Sequence, residues 1–275
     1  MDLSGLSINL ATVRAQWNVR EAVEACRRHG IGAVDPWRDQ VAAIGLDACV
    51  HAVKDNGMRV TGYCRGGMFP AADAAGRQAA IDDNFHAIDE AVALGAECLV
   101  IVAGGLPKGS RDMPGARQMV ADGLAAILPY AHSCNMPIAI EPLHPMTAAD
   151  RCVVSTLKQA LDLCDQLGDG VGVTIDTYHV WWDPDLAEQI ARAGRGNRIL
   201  AHHICDWLVP TRDLVLDRGM MGDGVIDLRA FRRMIEAAGY HGPQEVEIFS
   251  TLDWWKRPGD DVLRTCIERY QAHCI

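Results

Sequence analysis

No apolar stretch in this 275-residue chain reaches the ~18 residues that a membrane helix needs, so no membrane partner is expected. Positive charge is also in short supply: 26 Lys and Arg stand against 36 Asp and Glu, a formal net charge of −10. A chain this acidic offers no basic face to neutralise phosphates, which argues against nucleic acid as a partner. No Lys/Arg cluster marks a phosphate subsite, so the expected ligand is unphosphorylated. Met1-Asp2-Leu3-Ser4-Gly5 has neither a basic nor an apolar leader segment, and no signal peptide is expected. Cysteine is plentiful at ten residues, yet no C-x-x-C pair occurs. With no structural zinc knuckle, the cysteines are expected to be reduced, buried small hydrophobes in a cytoplasmic protein.

What the chain does have is a globular balance, 49% hydrophobic and 23% charged, with no room for a long disordered tail. Short β-branched runs alternate with amphipathic stretches about eight times. Expected strands are Leu6–Leu10, Gly32–Asp35, Arg59–Tyr63, Cys98–Ala103, Pro137–Glu141, Val171–Asp176, Ile199–Asp206 and Gln244–Ile248. Helices are expected around Val19–His29, Leu46–Asn56, Ala75–Leu94, Ala116–Cys134, Thr156–Leu167, Leu186–Ala193, Leu228–Ala238 and Asp260–Ala272. Such alternation means βαβ units and a parallel sheet. Eight units in this length predict an α/β fold, a (β/α)8 TIM barrel forming one domain over residues 1–275. A doubly wound nucleotide-binding sheet should carry a glycine-rich turn after its first strand. Here Ala11-Thr12-Val13-Arg14 stands there instead, and Gly168-Asp169-Gly170-Val171-Gly172 precedes a strand rather than opening a helix.

In a parallel barrel the chemistry sits at the C-terminal strand ends. Four consecutive expected strands end in Glu141, Asp176, His203 and Glu247. Period-two alternation sends Ile138, Ile140, Val171, Val173, Ile175, Val246 and Ile248 outward, and Glu141, Asp176 and Glu247 inward. In the seventh strand Leu200 and Ile204 take the outward row with His202, so His203 is expected to face the axis. Three carboxylates and an imidazole at one mouth would repel without a cation among them. They predict one divalent metal ion, with Mn²⁺ preferred and Mg²⁺ or Co²⁺ as alternatives.

The sequences Ile140-Glu141-Pro142, Asp176-Thr177-Tyr178-His179, His203-Ile204-Cys205-Asp206 and Val246-Glu247-Ile248-Phe249-Ser250 resemble the xylose isomerase-like TIM barrels. The similarity is greatest to the branch of ketose 3-epimerases, hydroxypyruvate isomerases and inosose dehydratases, and it covers nearly the whole chain. It implies that Glu141, Asp176, His203 and Glu247 bind the metal and that the two glutamates flank a bound sugar. It also implies that His179 and an arginine before a Gly-x-Gly loop contact substrate oxygens. Spacing to Gly222-Asp223-Gly224 favours Arg218 for that arginine, whereas spacing to His203 favours Arg212. The expected activity is sugar isomerisation or epimerisation of a ketose or keto-polyol through a metal-stabilised enediolate, without an organic cofactor. A lyase or dehydratase acting on a keto-sugar or inosose is the alternative.

Abasic-site endonucleases share the barrel but need extra histidines after the third and fourth strands. This chain has Cys64-Arg65-Gly66-Gly67 and Ala103-Gly104-Gly105 there. Those glycines are open to two readings, close approach of backbone to a ligand or tight turns. Arg65, Trp181, Trp207 and His144 are further candidates for substrate contact. The tryptophans serve equally as loop packing or as a subunit contact in a homodimer or homotetramer. His144 could instead be part of a Pro-flanked turn.

Overall fold

The computed structural model describes residues 2–275. Its strands are β1 (Leu6–Asn9), β2 (Ala33–Asp35), β3 (Arg59–Val60), β4 (Tyr63–Gly67), β5 (Leu99–Val102), β6 (Ile138–Glu141), β7 (Val171–Asp176), β8 (Ile199–Ile204) and β9 (Gln244–Val246). All pair in parallel, in the order β3-β2-β1-β9-β8-β7-β6-β5-β4. The two ends of that order, β3 and β4, are consecutive in the chain, so the sheet curls into a TIM barrel; of the third expected strand only Arg59–Val60 forms β3, and Cys64–Gly67, expected as the loop after it, continue Tyr63 as β4. β3 follows β2, and β4 follows β5. The break falls at Thr61-Gly62. Thr61 Oγ1 donates to the buried Glu245 Oε2 at 2.5 Å, and a Cβ on Gly62 would lie 2.5 Å from Asp35 Oδ2.

The helices are α1 (Val19–Arg28), α2 (Arg38–Ile44), α3 (Leu46–Asp55), α4 (Ala74–Leu94), α5 (Met113–Ser133), α6 (Leu157–Leu167), α7 (Thr177–Val180), α8 (Leu186–Arg195), α9 (Leu228–Ala237) and α10 (Gly259–Arg269). Local chemistry sets several of their starts. Asn18 and Glu21 form a reciprocal capping box on α1, and Asp73, Asp112, Thr156 and Asp227 cap α4, α5, α6 and α9. The seven-residue α2 and four-residue α7 were not expected, because so few residues give no readable 3.6-residue period. No described helix is long and apolar enough to cross a membrane.

Most of the core lies between the strands and the helices. A smaller cluster, Cys64, Cys98, Val100, Ala139 and Ala201, fills the barrel itself. Val100, Ala139 and Ala201 precede Val102, Glu141 and His203 by two residues, so they lie one inward step towards the N-terminal end. Leu200, expected outside, packs against this inner cluster. The register slips opposite Val173 and Thr174, so Leu200 is the extra residue of a bulge and changes side. All ten cysteines are free, nine of them fully buried.

Candidate functional site

The ends of β6, β7 and β8 and the residue just beyond β9 converge at the C-terminal mouth. Glu141, Asp176, His203 and Glu247 are all buried, and each offers one ligand atom within 4.8 Å of the others. The ladder sets this geometry: Asp176 pairs with His203, and the Glu247 amide extends β9 by donating to Ile204 O at 3.1 Å. Asp176 also caps α7, its Oδ1 accepting from the Tyr178 amide at 2.8 Å, which leaves Oδ2 for the site. Glu141 Oε1 and His203 Nδ1 face each other at 3.3 Å, yet neither has a hydrogen-bond partner. Buried polar atoms are seldom left so. Two orphaned atoms aimed at one point, within an oxygen-rich set, fit a hard divalent cation.

Arg218 enters the same cluster. Its Nη1 donates to Asp176 Oδ2 at 2.9 Å and to Glu247 Oε2 at 2.7 Å, while its guanidinium lies over Tyr178 and Phe249. Arg212 instead pairs with Asp217 and is half exposed. Of the two arginines that spacing offered, Arg218 lies in the cluster and Arg212 outside it. Its loop is organised by Asp206, whose Oδ2 accepts from the Gly222 and Gly224 amides and whose Oδ1 accepts from Trp207 and Ile226. The Gly222-Asp223-Gly224 segment therefore wraps a buried carboxylate. Burial works to raise Glu247, but Arg218 and His203 outweigh it and hold the carboxyl well below the usual range. For Asp176 burial wins over Arg218 and pushes the pKa up to about 7.

His179, also buried, accepts at Nδ1 from the His144 amide at 3.1 Å. Its Nε2 turns to the cluster, 3.1 Å from Arg218 Nη2 and 3.6 Å from Asp176 Oδ2. Burial, then the neighbouring Arg218 charge, push its pKa well down. His179 is thus a neutral ring whose Nε2 faces the cluster.

A second polar layer supports the first. His203 Nε2 lies 3.1 Å from Glu245 Oε1, and Glu245 also accepts from Asn9 and Thr61. Carboxylates behind a ligating imidazole fix its orientation. Burial opposes charge on His203, but Glu245, with Glu141 and Glu247, raises it well above the ordinary imidazole value. Asp35 is raised well above the carboxylate range by burial and by Glu245. The period-two row that selects Glu247 also selects Glu245, so this residue was legible and went unread.

The mouth holds a cavity of about 40 Å³ lined by Glu141, His179, Arg218, Glu247 and Arg65, and by Trp37, Phe249, Leu143 and Arg151. Trp181, Trp207 and His144 line none of it. They form an aromatic group beside it: Trp207 stacks on His144 with centroids 4.7 Å apart, and Trp181 tilts against Trp207. Trp37 and Phe249 provide the aromatic wall, in edge contact at 5.3 Å. The strand before Trp37 has three residues, too few to draw attention to the loop that follows it. At Gly67 and Gly105 the structure shows something neither reading named, close packing of one chain segment on another. A Cβ on Gly67 would meet Val102 O at 2.0 Å, and one on Gly105 would meet the Asp150 backbone at 2.5 Å.

The xylose isomerase-like TIM barrel family model matches residues 23–268. The structure superimposes with a TM-score of 0.98 on protein SMc04130 from Sinorhizobium meliloti 1021, which is 65% identical over 99% of both chains. It superimposes at 0.85 on the IolI protein with a bound zinc atom, 21% identical over 98% of each chain. D-psicose 3-epimerase with D-tagatose, from Clostridium cellulolyticum H10, gives 0.74 at 15% identity, covering 96% of this chain and 98% of that one. No curated protein matches the chain in sequence. With the family model spanning nine-tenths of a barrel whose last four strands carry the expected residues, the chain belongs to the xylose isomerase-like TIM barrel family.

Proposed function

We propose that this protein is a divalent-metal-dependent sugar isomerase or epimerase acting on a ketose or keto-polyol. The observation that carries the reading is the placement of Glu141 and Glu247 on one ligand cluster from strands separated by β7 and β8. They approach the same point from different sides. Glu141, Asp176, His203 and Glu247 would hold the ion, Mn²⁺ in the first instance, with Mg²⁺ or Co²⁺ as alternatives. When bound, the metal supplies Lewis acidity that makes a C–H beside a carbonyl easier to ionise. No organic cofactor is needed. The small enclosed cavity and the likeness to sugar-acting barrels, a D-psicose 3-epimerase among them, support a sugar as substrate.

The chain's own residues then divide the work. Arg218 and His179, through Nε2, contact substrate oxygens. Glu247, kept ionised by Arg218, takes the proton from the substrate carbon. Glu141 returns a proton, to the opposite face of the same carbon for epimerisation or to the neighbouring carbon for isomerisation. Trp37, Phe249 and Leu143 keep water from the carbanionic centre. The test is NMR of a ketose panel in D₂O with Mn²⁺-loaded protein. Deuterium entering one carbon with conversion to an isomer supports the reading and locates the reaction. Loss of a β-hydroxyl as water would establish a lyase instead, and no exchange or conversion on any ketose would sink the proposal.

A further inference from the structure

Beside the catalytic cavity lies a second one of about 440 Å³, and the two share Trp37, Arg65, Arg151 and Phe249. Four arginines and two aspartates line the outer cavity. Arg14 is paired with Asp39, and Arg38 with Asp83. Arg65 and Arg151 have no carboxylate within ion-pair distance among the described residues, although the whole chain carries ten more negative than positive charges. The acids whose charge reaches them are already engaged. Asp39 holds Arg14, Glu141 belongs to the ligand cluster, and Asp213 accepts from the Val215 and Leu216 amides. Two unneutralised guanidiniums facing one cavity repel each other. Burial, and next the charge of Arg151, lower the Arg65 pKa.

The backbone is shaped to keep both there. Arg65 is the extra residue of a bulge in β4, where pairing with β5 passes from Cys64 opposite Val100 to Gly66 opposite Ile101. A bulge turns a side chain away from the regular alternation. Arg151 comes from the loop after Glu141, which Gly105 admits so closely that a Cβ there would stand 2.8 Å from the Arg151 amide. Resting on the function proposed above, we propose that Arg65 and Arg151 form an anion subsite. The sugar substrate then carries a carboxylate or a phosphate at the end remote from the ligand cluster. The expectation of an unphosphorylated ligand came from the lack of a contiguous basic cluster; the fold assembles one from a bulge in β4 and the loop after β6, 86 positions apart (151 minus 65).

The experiment titrates the full chain, as purified and after dialysis against chelator, with D-glucitol, D-gluconate and D-glucitol 6-phosphate. These share a six-carbon polyol and differ at one end, and none requires turnover. Comparing the two preparations separates binding at the arginines from chelation. A charge-assisted contact is worth roughly ten-fold or more in affinity, so at least one anion should bind about ten-fold tighter than D-glucitol. Arg151→Ala, at an exposed position that should leave the fold intact, and Arg65→Ala should each erase most of that preference by weakening the anion far more than D-glucitol. The anion that gains more identifies the source. Equal binding of all three polyols, no detectable binding of either anion, or a preference that survives both substitutions would overturn the subsite. Anion preference without turnover of any ketose would instead remove the proposed activity and leave the subsite standing.

Discussion

Arg218 Nη1 stands 2.7 Å from Glu247 Oε2, so a buried guanidinium already occupies the flank of a carboxylate that belongs to the metal-ligand cluster. The arginine and a bound cation therefore compete for the same negative charge. Arg218→Ala should take from Asp176 and Glu247 the buried guanidinium that donates to both and cost about 3 to 5 kcal/mol of stability in the metal-free protein. Added Mn²⁺ should restore much of the loss, and the variant should bind the ion more tightly than the wild type. Thermal melts with and without Mn²⁺ test this; a variant that Mn²⁺ stabilises no more than the wild type would contradict it.

Metal retention separates the two neighbouring histidines. Asp176→Asn removes one anionic ligand and should weaken Mn²⁺ binding by roughly 100-fold or more, since even supporting residues behind a ligand are worth 10- to 100-fold. His202→Ala, one residue from His203 and directed to the helix side, should keep its metal. Calorimetric titration decides it, and loss of metal in His202→Ala would show that the alternation was misread.

The two glutamates should separate kinetically. Glu141→Gln and Glu247→Gln both keep a ligand oxygen but lose the transferable proton, at a cost of about 10² to 10⁴ in turnover. If Glu247 receives the substrate proton, Glu141→Gln should still exchange the α-hydrogen in D₂O, whereas Glu247→Gln should not. Exchange surviving only in Glu247→Gln would reverse the roles, and near wild-type turnover in both would end the scheme.

Proton competition gives the binding a pH dependence. Burial pushes Asp176 up to about 7, and the surrounding carboxylates keep His203 protonated, so both must lose a proton to ligate. Mn²⁺ affinity should therefore fall as pH drops from 8 to 6. The stability contribution of Asp176 has the sign of a raised group: present in full below its unfolded value of 3.8 and lost as pH rises through about 7. Metal-free protein should melt lower at pH 8 than at pH 6, and Mn²⁺ should narrow that gap. Affinity that is flat across this range would refute the assignment.

The layer behind His203 should matter to the metal without touching it. Glu245→Gln leaves an amide where His203 Nε2 meets a carboxylate, and should weaken Mn²⁺ binding by about 10- to 100-fold. Unchanged affinity would show that Glu245 serves only the barrel interior.

The barrel and the inward row of Glu141, Asp176 and Glu247 were legible because they rest on short-range regularities. Alternation along a strand and amphipathic spacing along a helix repeat within a few residues and survive folding unchanged. The row failed at Leu200, where a bulge shifts one residue across the sheet, and a bulge is decided by the neighbouring strand rather than by its own sequence. The third strand was expected at Arg59–Tyr63 but stops after Val60, and a separate strand runs from Tyr63 through the expected loop to Gly67, because Thr61 and Gly62 answer to Glu245 and Asp35, which lie far away in the chain.

Sequence by itself determined the fold class, the four strand-end residues that gather in one cluster and the placing of His203 rather than His202 among them, all through local periodicity. Tertiary structure alone decided which arginine enters the cluster, that Trp37 and Phe249 rather than Trp181 and Trp207 face the cavity, and that Arg65 meets Arg151. Each of these depends on how loops from different strands fold over the barrel mouth. Loop direction is set by long-range contacts, such as Asp206 gathering the amides of residues 222, 224 and 226, and no repeating pattern in the chain encodes it.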